Sequence, residues 1–287
     1  IFVISSSENM HCETRDHKEL RNMSTEKPII TNPAKDKLKR HEPVVGLAVF
    51  ESLSPSIYKI VAQIGYDIIL VDTEHVVHNF ETLTHFLTGA RDNGLTPIVS
   101  VISPDRALVS RMLDAGALGI VLSHADTPEQ VSDLIRWVKY PPEGKRGLSM
   151  GASAGYVHAD PNRYCREANE STLVILKIES RMGVENAEAM ISIEGVDGIV
   201  FGPGDLAADI GVHGEWEHPE VKKMMEQVID LAIAKDIAVE PFVMPDTDGY
   251  QRETDRGCLI FGAMRTTEHA LFREAALNAI RPYRENS

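Results

Sequence analysis

Two carboxylates, Glu179 and Asp205, close two successive apolar runs, and acids placed in that way can hold a hard divalent cation. The first run covers residues 173–178 and is interrupted only by Lys177. The second, Ile199-Val200-Phe201, leads into Gly202-Pro203-Gly204-Asp205. A helix-like block over 184–193 separates them, so the stretch reads as a βαβ unit, right-handed and parallel. In parallel α/β folds chemistry gathers where strands end, and oxygen ligands delivered there suit Mg²⁺ or Mn²⁺. Each acid alone has a plainer use, Glu179 as a helix cap and Asp205 as the N-cap of residues 206–208. Their joint position at successive strand ends favours the cation. A third group, Asp72-Thr73-Glu74-His75, follows the apolar run 66–71. A histidine beside two acids can be oriented and kept basic by one of them, which suits a general base near neutral pH. Lone loop histidines are more often surface residues.

The elements that must position these groups alternate along the chain. Strands are expected at 44–50, 66–71, 96–101, 118–122, 173–178, 199–201, 237–243 and 258–261. Helices are expected from Ser54-Pro55 onward, and at 79–93, 104–115, 127–138, 164–169, 184–193, 219–236 and 267–280, with Pro or Gly at several boundaries. About eight strands, most followed by a helix, predict a single (β/α)8 TIM barrel over residues 43–287. A doubly wound open sheet is the alternative, but Glu51-Ser-Leu-Ser-Pro after the first strand is no phosphate-binding glycine fingerprint. The long break over 140–147 and the glycine-rich segment 148–155 read as a functional loop.

Residues 1–42 differ from the rest, being polar and charge-dense, and read as a flexible N-terminal extension with a short helix near 33–40. Met23 resembles an initiator, which makes residues 1–22 an upstream addition to the native chain or an expression-derived segment. With 287 residues and 43% apolar content the chain can bury a large core. A net charge of −14 argues against nucleic-acid and membrane-surface partners, whose phosphates it would repel. Cys12, Cys165 and Cys258 show no paired or metal-ligand spacing and fit a reducing, cytoplasmic setting. No apolar run reaches the ~20 residues of a membrane span.

The segments KIES-x2-GVENAEAM, from Lys177, and GVDGIVFGPGDLAADIG, over 195–211, resemble the metal-dependent pyruvate aldolases of the HpcH/HpaI type, relatives of the citrate lyase β-subunit. The resemblance runs over about residues 45–282. It implies Glu179 and Asp205 as the metal carboxylates, with Glu74 reaching the metal through water. The ion would be Mg²⁺ or Mn²⁺, with Co²⁺ or Zn²⁺ as alternatives. It also implies His75 as the base within the motif that begins at Asp72, with Asp114 approaching that histidine, from a neighbouring subunit in a hexamer built as a dimer of trimers. Small residues at Gly202, Pro203 and Gly204 let the N–H groups of Gly204 and Asp205 meet a substrate carboxylate.

Two positions depart from the family pattern. Ser100 stands where the family has an arginine that binds the keto oxygen, and Lys177 stands where it usually has glutamine. Lys177 shares a strand face with Glu179. It can supply the missing positive charge, form a Schiff base, or simply pair with Glu179. His124 is a further candidate for the vacant arginine's role, and Arg146 and Ser149 read as structural or oligomer-forming. The expected activity is metal-dependent carbon–carbon cleavage of a 4-hydroxy-2-oxo acid, or a related 2-oxo acid, through a pyruvate-type enolate. The alternatives are decarboxylation or other lyase chemistry on the same metal site, and a non-catalytic barrel. The helix over 267–280 carries more apolar positions than one barrel face needs, which predicts packing on a second copy.

Overall fold

In the computed structural model, which describes residues 28–242 and 247–284, eight parallel strands form a nearly closed barrel. The chain runs α1 (Pro33–Leu38), β1 (Val44–Val49), α2 (Pro55–Ile64), β2 (Ile68–Val71), α3 (Phe80–Asp92), β3 (Thr96–Val101), α4 (Arg106–Asp114) and β4 (Gly119–Leu122). It continues through α5 (Pro128–Val138), α6 (Pro161–Ser171), β5 (Leu173–Ile178), α7 (Arg181–Glu185), α8 (Ala187–Ile191) and β6 (Gly198–Phe201). The last elements are α9 (Pro203–Asp209), α10 (Pro219–Ala234), β7 (Ala238–Val239), α11 (Thr247–Arg256), β8 (Ile260–Phe261) and α12 (Glu268–Arg284). Each strand pairs with its predecessor from β1 to β7, and β8 returns to β1 with Val44 opposite Ile260. Between β7 and β8 no ladder forms among the described residues; the backbone N–H of Leu259 reaches the carbonyl of Val239 at 3.1 Å across that seam.

The strands are apolar on both sides because both sides are covered, as parallel sheets require. Ile68, Leu70, Ile98, Val121, Ile175 and Val200 fill the barrel interior. Ile69, Val71, Val99, Ile120, Leu176 and Ile199 alternate with them and pack outward under the helices. Alternation then carries the next inward positions to the carboxyl ends of the strands: Asp72, Ser100, Ser123, Lys177 and Glu179. The expected (β/α)8 barrel is therefore the observed fold, and its register puts the chemistry-bearing residues on one rim.

Local departures have physical causes. The block expected as one helix over 184–193 breaks at Asn186 into α7 and α8, where the Asn186 amide turns outward to the Asp126 carbonyl at 2.7 Å. α6 starts earlier than expected because Asp160 caps it ahead of Pro161. β7 and β8 are two residues each, shorter than expected; residue 243 and residues 1–27 lie outside the described chain. α11 was not expected at all, since its sequence is polar and contains Gly249. Among the described residues, no helix is long and apolar enough to cross a membrane.

Residues 28–42, within the expected extension, pack on the barrel floor. Ala34 is fully buried in the interior cluster, and Lys35 reaches the Thr172 carbonyl at 2.7 Å and Asp197 at 2.9 Å. Asn32 ties this plug down. Its Oδ1 accepts from Lys35 N–H at 3.1 Å and from Thr96 Oγ1 at 2.9 Å, while Nδ2 donates to the carbonyls of Leu118 and Ser171. Asn32→Ala removes an N-cap and strands buried polar groups, so it should cost about 2–4 kcal/mol. Urea unfolding of variant and wild type checks this; an unchanged midpoint would mean that α1 does not contribute to the barrel.

Candidate active site

The rim at the carboxyl ends of β2, β4, β5 and β6 gathers two acids, a lysine and a histidine. Nζ of Lys177 donates to Oε2 of Glu74 at 3.2 Å and lies 2.7 Å from Oε2 of Glu179. The second contact is the shorter of the two, so the buried Glu179 carboxylate is ion-paired with the ammonium. Oε1 of Glu179 accepts the backbone N–H of His124 at 2.7 Å. His124 achieves this with a left-handed backbone, φ 47°, that turns its N–H toward the acid. Its imidazole Nε2 stands 3.5 Å from Glu74 and 4.0 Å from Glu179. Gly202, at the end of β6, lies against Glu179, and a Cβ there would overlap the carboxylate. That close approach is why the position takes glycine.

The electrostatics follow from burial and these contacts. Burial alone would lower the Lys177 amine, but Glu179 and Glu74 outweigh it and hold the group up, as an ammonium. This is the reverse of what a Schiff-base nucleophile needs, and the pairing with Glu179 is the observed arrangement. Burial raises the Glu179 carboxyl, with Lys177 and His124 opposing. For Glu74 burial pushes up, yet the nearby Ser123 hydroxyl and the Lys177 ammonium more than offset it and keep the carboxyl low.

Two overlapping groups could hold a metal ion: Glu74, His124 and Glu179, and Asp72, Glu74 and His75, with the ligand atoms of each within 4.8 Å of one another. Two carboxylates and an imidazole fit a small divalent cation. Glu74 belongs to both groups.

The remaining expected residues are dispersed around this centre. Asp72 is buried and accepts the backbone N–H of His75 at 2.7 Å, fixing the loop that carries the histidine. The His75 ring is exposed, stacks on Phe50 with 6.5 Å between centroids, and has Nε2 3.7 Å from Glu74. Ser100 is fully buried; its hydroxyl accepts from the N–H of Thr73 at 3.0 Å and donates to Asp72 at 3.4 Å, so it braces the β2 loop. Asp205 and Gly204 are exposed in the first turn of α9, next to half-buried Pro203, and Asp205 joins neither metal-competent group. Asp114 ends α4 and pairs with Arg146 at 2.7 Å, whose guanidinium lies over the Tyr140 ring.

Sequence reasoning missed Glu240 and Arg265. Glu240 follows β7, sharing the inward side with Ala238, and is 1% exposed. It accepts backbone N–H groups of Phe201 and, at 3.5 Å, Met264. An acid directly after an apolar strand, the signal that marked Glu179, was present here too. Burial pushes its carboxyl up from 4.5 to about 7, with Arg265 opposing. The folded chain thus binds this proton more tightly than the unfolded chain, so stability falls as pH rises from about 4.5 to about 7 and is flat above. Glu240→Gln removes that penalty. Relative to wild type it should gain about 2–3 kcal/mol between roughly pH 5 and pH 8. Urea unfolding at both pH values tests this, and a pH-independent difference would contradict it.

The family model described as HpcH/HpaI aldolase/citrate lyase matches residues 49–265. A 2-keto-3-deoxy-L-rhamnonate aldolase of Klebsiella pneumoniae is 32% identical over 201 residues, 70% of this chain and 75% of that protein. Among solved structures, an HpcH/HpaI aldolase from Desulfitobacterium hafniense is 28% identical with a TM-score of 0.81, covering 88% of this chain and 96% of the other. A citrate synthase is 25% identical with a TM-score of 0.76, covering 88% and 98%.

Proposed function

The chain belongs to the HpcH/HpaI aldolase/citrate lyase family and is a metal-dependent lyase of the aldolase type; we propose that its substrate is a 4-hydroxy-2-oxo acid, cleaved at the rim formed by β2, β4, β5 and β6. The observation that carries this reading is the convergence of Glu74, His124 and Glu179, whose ligand atoms lie within 4.8 Å of one another. Glu179, Glu74 and His124 are the residues that would hold a Mg²⁺ or Mn²⁺ ion, with Asp205 as a further ligand if α9 turns inward. Such a cation polarises the 2-oxo group and offsets enolate charge.

The protein groups do the rest. His75, exposed and oriented by Asp72 and Phe50, takes the proton from the C4 hydroxyl at its imidazole. The C3–C4 bond then breaks to an aldehyde and a pyruvate enolate, and the same histidine can return the proton to C3. Glu74, 3.7 Å from the ring, stabilises the imidazolium while it carries that proton. Lys177 balances the charge of the two acids and favours the ionised form of each. Sugar-derived 2-keto-3-deoxy acids are the first substrates to try, because relatives such as the Klebsiella aldolase are named for one. A second reading, decarboxylation of a 2-oxo diacid through the same enolate, is favoured by the β3 wall, where Ser100 is wholly buried and engaged with the β2 loop.

The test is pyruvate release in the presence of magnesium. Glu179→Ala should abolish both activity and calorimetric Mg²⁺ binding, since a site of mainly water binds this ion weakly. His75→Ala should bind Mg²⁺ like wild type and lose roughly two to four orders of magnitude in turnover. Retained Mg²⁺ affinity in Glu179→Ala, or near-native turnover in His75→Ala, would reject the corresponding role.

Assembly is part of the same proposal, as is residence in the cytoplasm, which suits thiols left free at Cys165 and Cys258. Only Glu268 is buried along α12, whereas Leu271, Phe272, Leu277 and Ile280 are 40–77% exposed. α2 leaves Ile60 and Ile64 exposed as well. A helix that exposes several large apolar side chains is suited to cover a second copy. We expect a homo-oligomer, a hexamer as a dimer of trimers, with α12 in the interface. Light scattering should give the oligomer for wild type and a smaller species for Phe272→Asp combined with Leu277→Asp; a wild-type monomer at micromolar concentration would refute it.

A further inference from the structure

The wall of the barrel opposite β2 to β5 in chain order, at the ends of β7 and β8, holds a charged pair that does not close. Nε and Nη2 of Arg265 are buried, and among the described residues neither has a hydrogen-bond partner. Oε2 of Glu240 is equally buried and unpartnered. The two side chains attract one another, yet no N–O contact within 4.0 Å joins them. Leaving both halves of a possible buried ion pair unsatisfied is costly, because each desolvated polar group forfeits its water without a replacement. A structural salt bridge would have closed.

The unpaired atoms have a chemical meaning. Nε and Nη2 form one edge of the guanidinium, the fork that matches a carboxylate. The chain uses that same edge elsewhere: Arg40 donates from Nε and Nη2 to the two carboxylate oxygens of Glu42, both at 2.8 Å. The Arg265 plane is held in place by the Phe242 ring, 5.5 Å from its centroid. Glu240 adds a third potential donor, because burial raises its carboxyl to about 7 and so makes the O–H form accessible near neutrality. Two fixed donors and one switchable donor complement the acceptors of an incoming carboxylate.

We propose that the Nε/Nη2 edge of Arg265, with Glu240 beside it, is a binding subsite for a carboxylate: the remote acid group of a substrate whose 2-oxo acid end lies against Glu179. The location of that 2-oxo acid end rests on the function proposed above. The link between the two walls is β6, since Glu179 lies against Gly202 while Glu240 accepts the N–H of the preceding Phe201. Arg265 would thereby favour diacids over monoacids, supplying from β8 a positive charge that β3, with Ser100, does not offer.

Ligand-observed NMR titration of the full chain with magnesium tests this with three probes. Pyruvate carries only the 2-oxo acid, 2-oxoglutarate adds a second carboxylate, and succinate has carboxylates without the oxo group. Wild type should bind 2-oxoglutarate at least tenfold tighter than pyruvate. Arg265→Met should erase that preference and most succinate binding while leaving pyruvate unchanged; Arg265→Lys, which keeps charge but not the fork, should lose about half of the preference on a logarithmic scale. Glu240→Gln should bind succinate at least as well as wild type, because it keeps a donor and removes a repelling charge. No wild-type preference for the diacid, or equal succinate binding in wild type and Arg265→Met, overturns the subsite. Failure of pyruvate alone to bind would instead count against the 2-oxo acid reading, and the succinate comparison would still decide the subsite. Should Arg265→Met fail to fold, the Arg265→Lys and Glu240→Gln outcomes decide it.

Discussion

The Lys177 ammonium, buried between Glu179 at 2.7 Å and Glu74 at 3.2 Å, is the contact around which the rim is arranged. Burying two carboxylates of 0% and 6% side-chain exposure side by side is costly without a counter-charge. The neighbouring backbone is shaped to the same end. His124 accepts a left-handed conformation to give Glu179 an N–H, and Gly202 gives up a side chain so that the acid fits beneath β6. Ser100 and Asp72 brace the β2 loop that presents Glu74 and His75. Remove the lysine and these adjustments no longer have a balanced charge to serve.

Such a centre is poor as a device for stability, because desolvating several charges costs about as much as their attraction returns. Its value lies in readiness. A pair of acids held close by one ammonium, with an imidazole 3.5–4.0 Å away, is a cation site assembled in advance. The opposite wall carries the same logic with the signs exchanged: Arg265 is held by Phe242 with its fork unspent, and Glu240 stops short of it. Between them β6 contributes backbone to both sides, which explains why its Gly202 and Phe201 are each committed to an acid.

Much of this was legible in the sequence because strand physics is simple. Short runs such as 173–178, apolar on both faces, read as buried parallel strands, and period-two alternation then puts Lys177 and Glu179 on one side. The cluster at residues 72–75 was equally visible. What escaped depends on tertiary geometry. Glu240 and Arg265 follow β7 and β8, on either side of the seam between those strands, which no local pattern announces. Asn186 breaks a helix for the sake of the Asp126 carbonyl, a partner 60 residues away. The exposure of α12 is likewise set by where the helix leaves β8, through Glu268, which accepts the N–H groups of Phe50 and Glu51, rather than by its own composition. Asp205 shows the limit of motif reasoning from the other direction, since its position in the chain is clear while its carboxylate stands exposed, outside the metal-competent groups.

The measurement that bears most directly on this account is calorimetric Mg²⁺ affinity of Lys177→Met at a pH well above the carboxylate range. If the ammonium is the counter-charge of the paired acids, a neutral side chain of similar length removes a repulsion that a bound divalent ion must otherwise bear. At an effective dielectric of about 20 a unit charge roughly 4 Å from a divalent ion contributes about 8 kcal/mol, part of which relaxation and proton uptake will absorb. The account predicts that Mg²⁺ binds at least tenfold tighter to the variant than to wild type, with the barrel intact by circular dichroism. Equal or weaker binding would contradict it, and would mean that Lys177 supports the cation site in some way other than by balancing its charge.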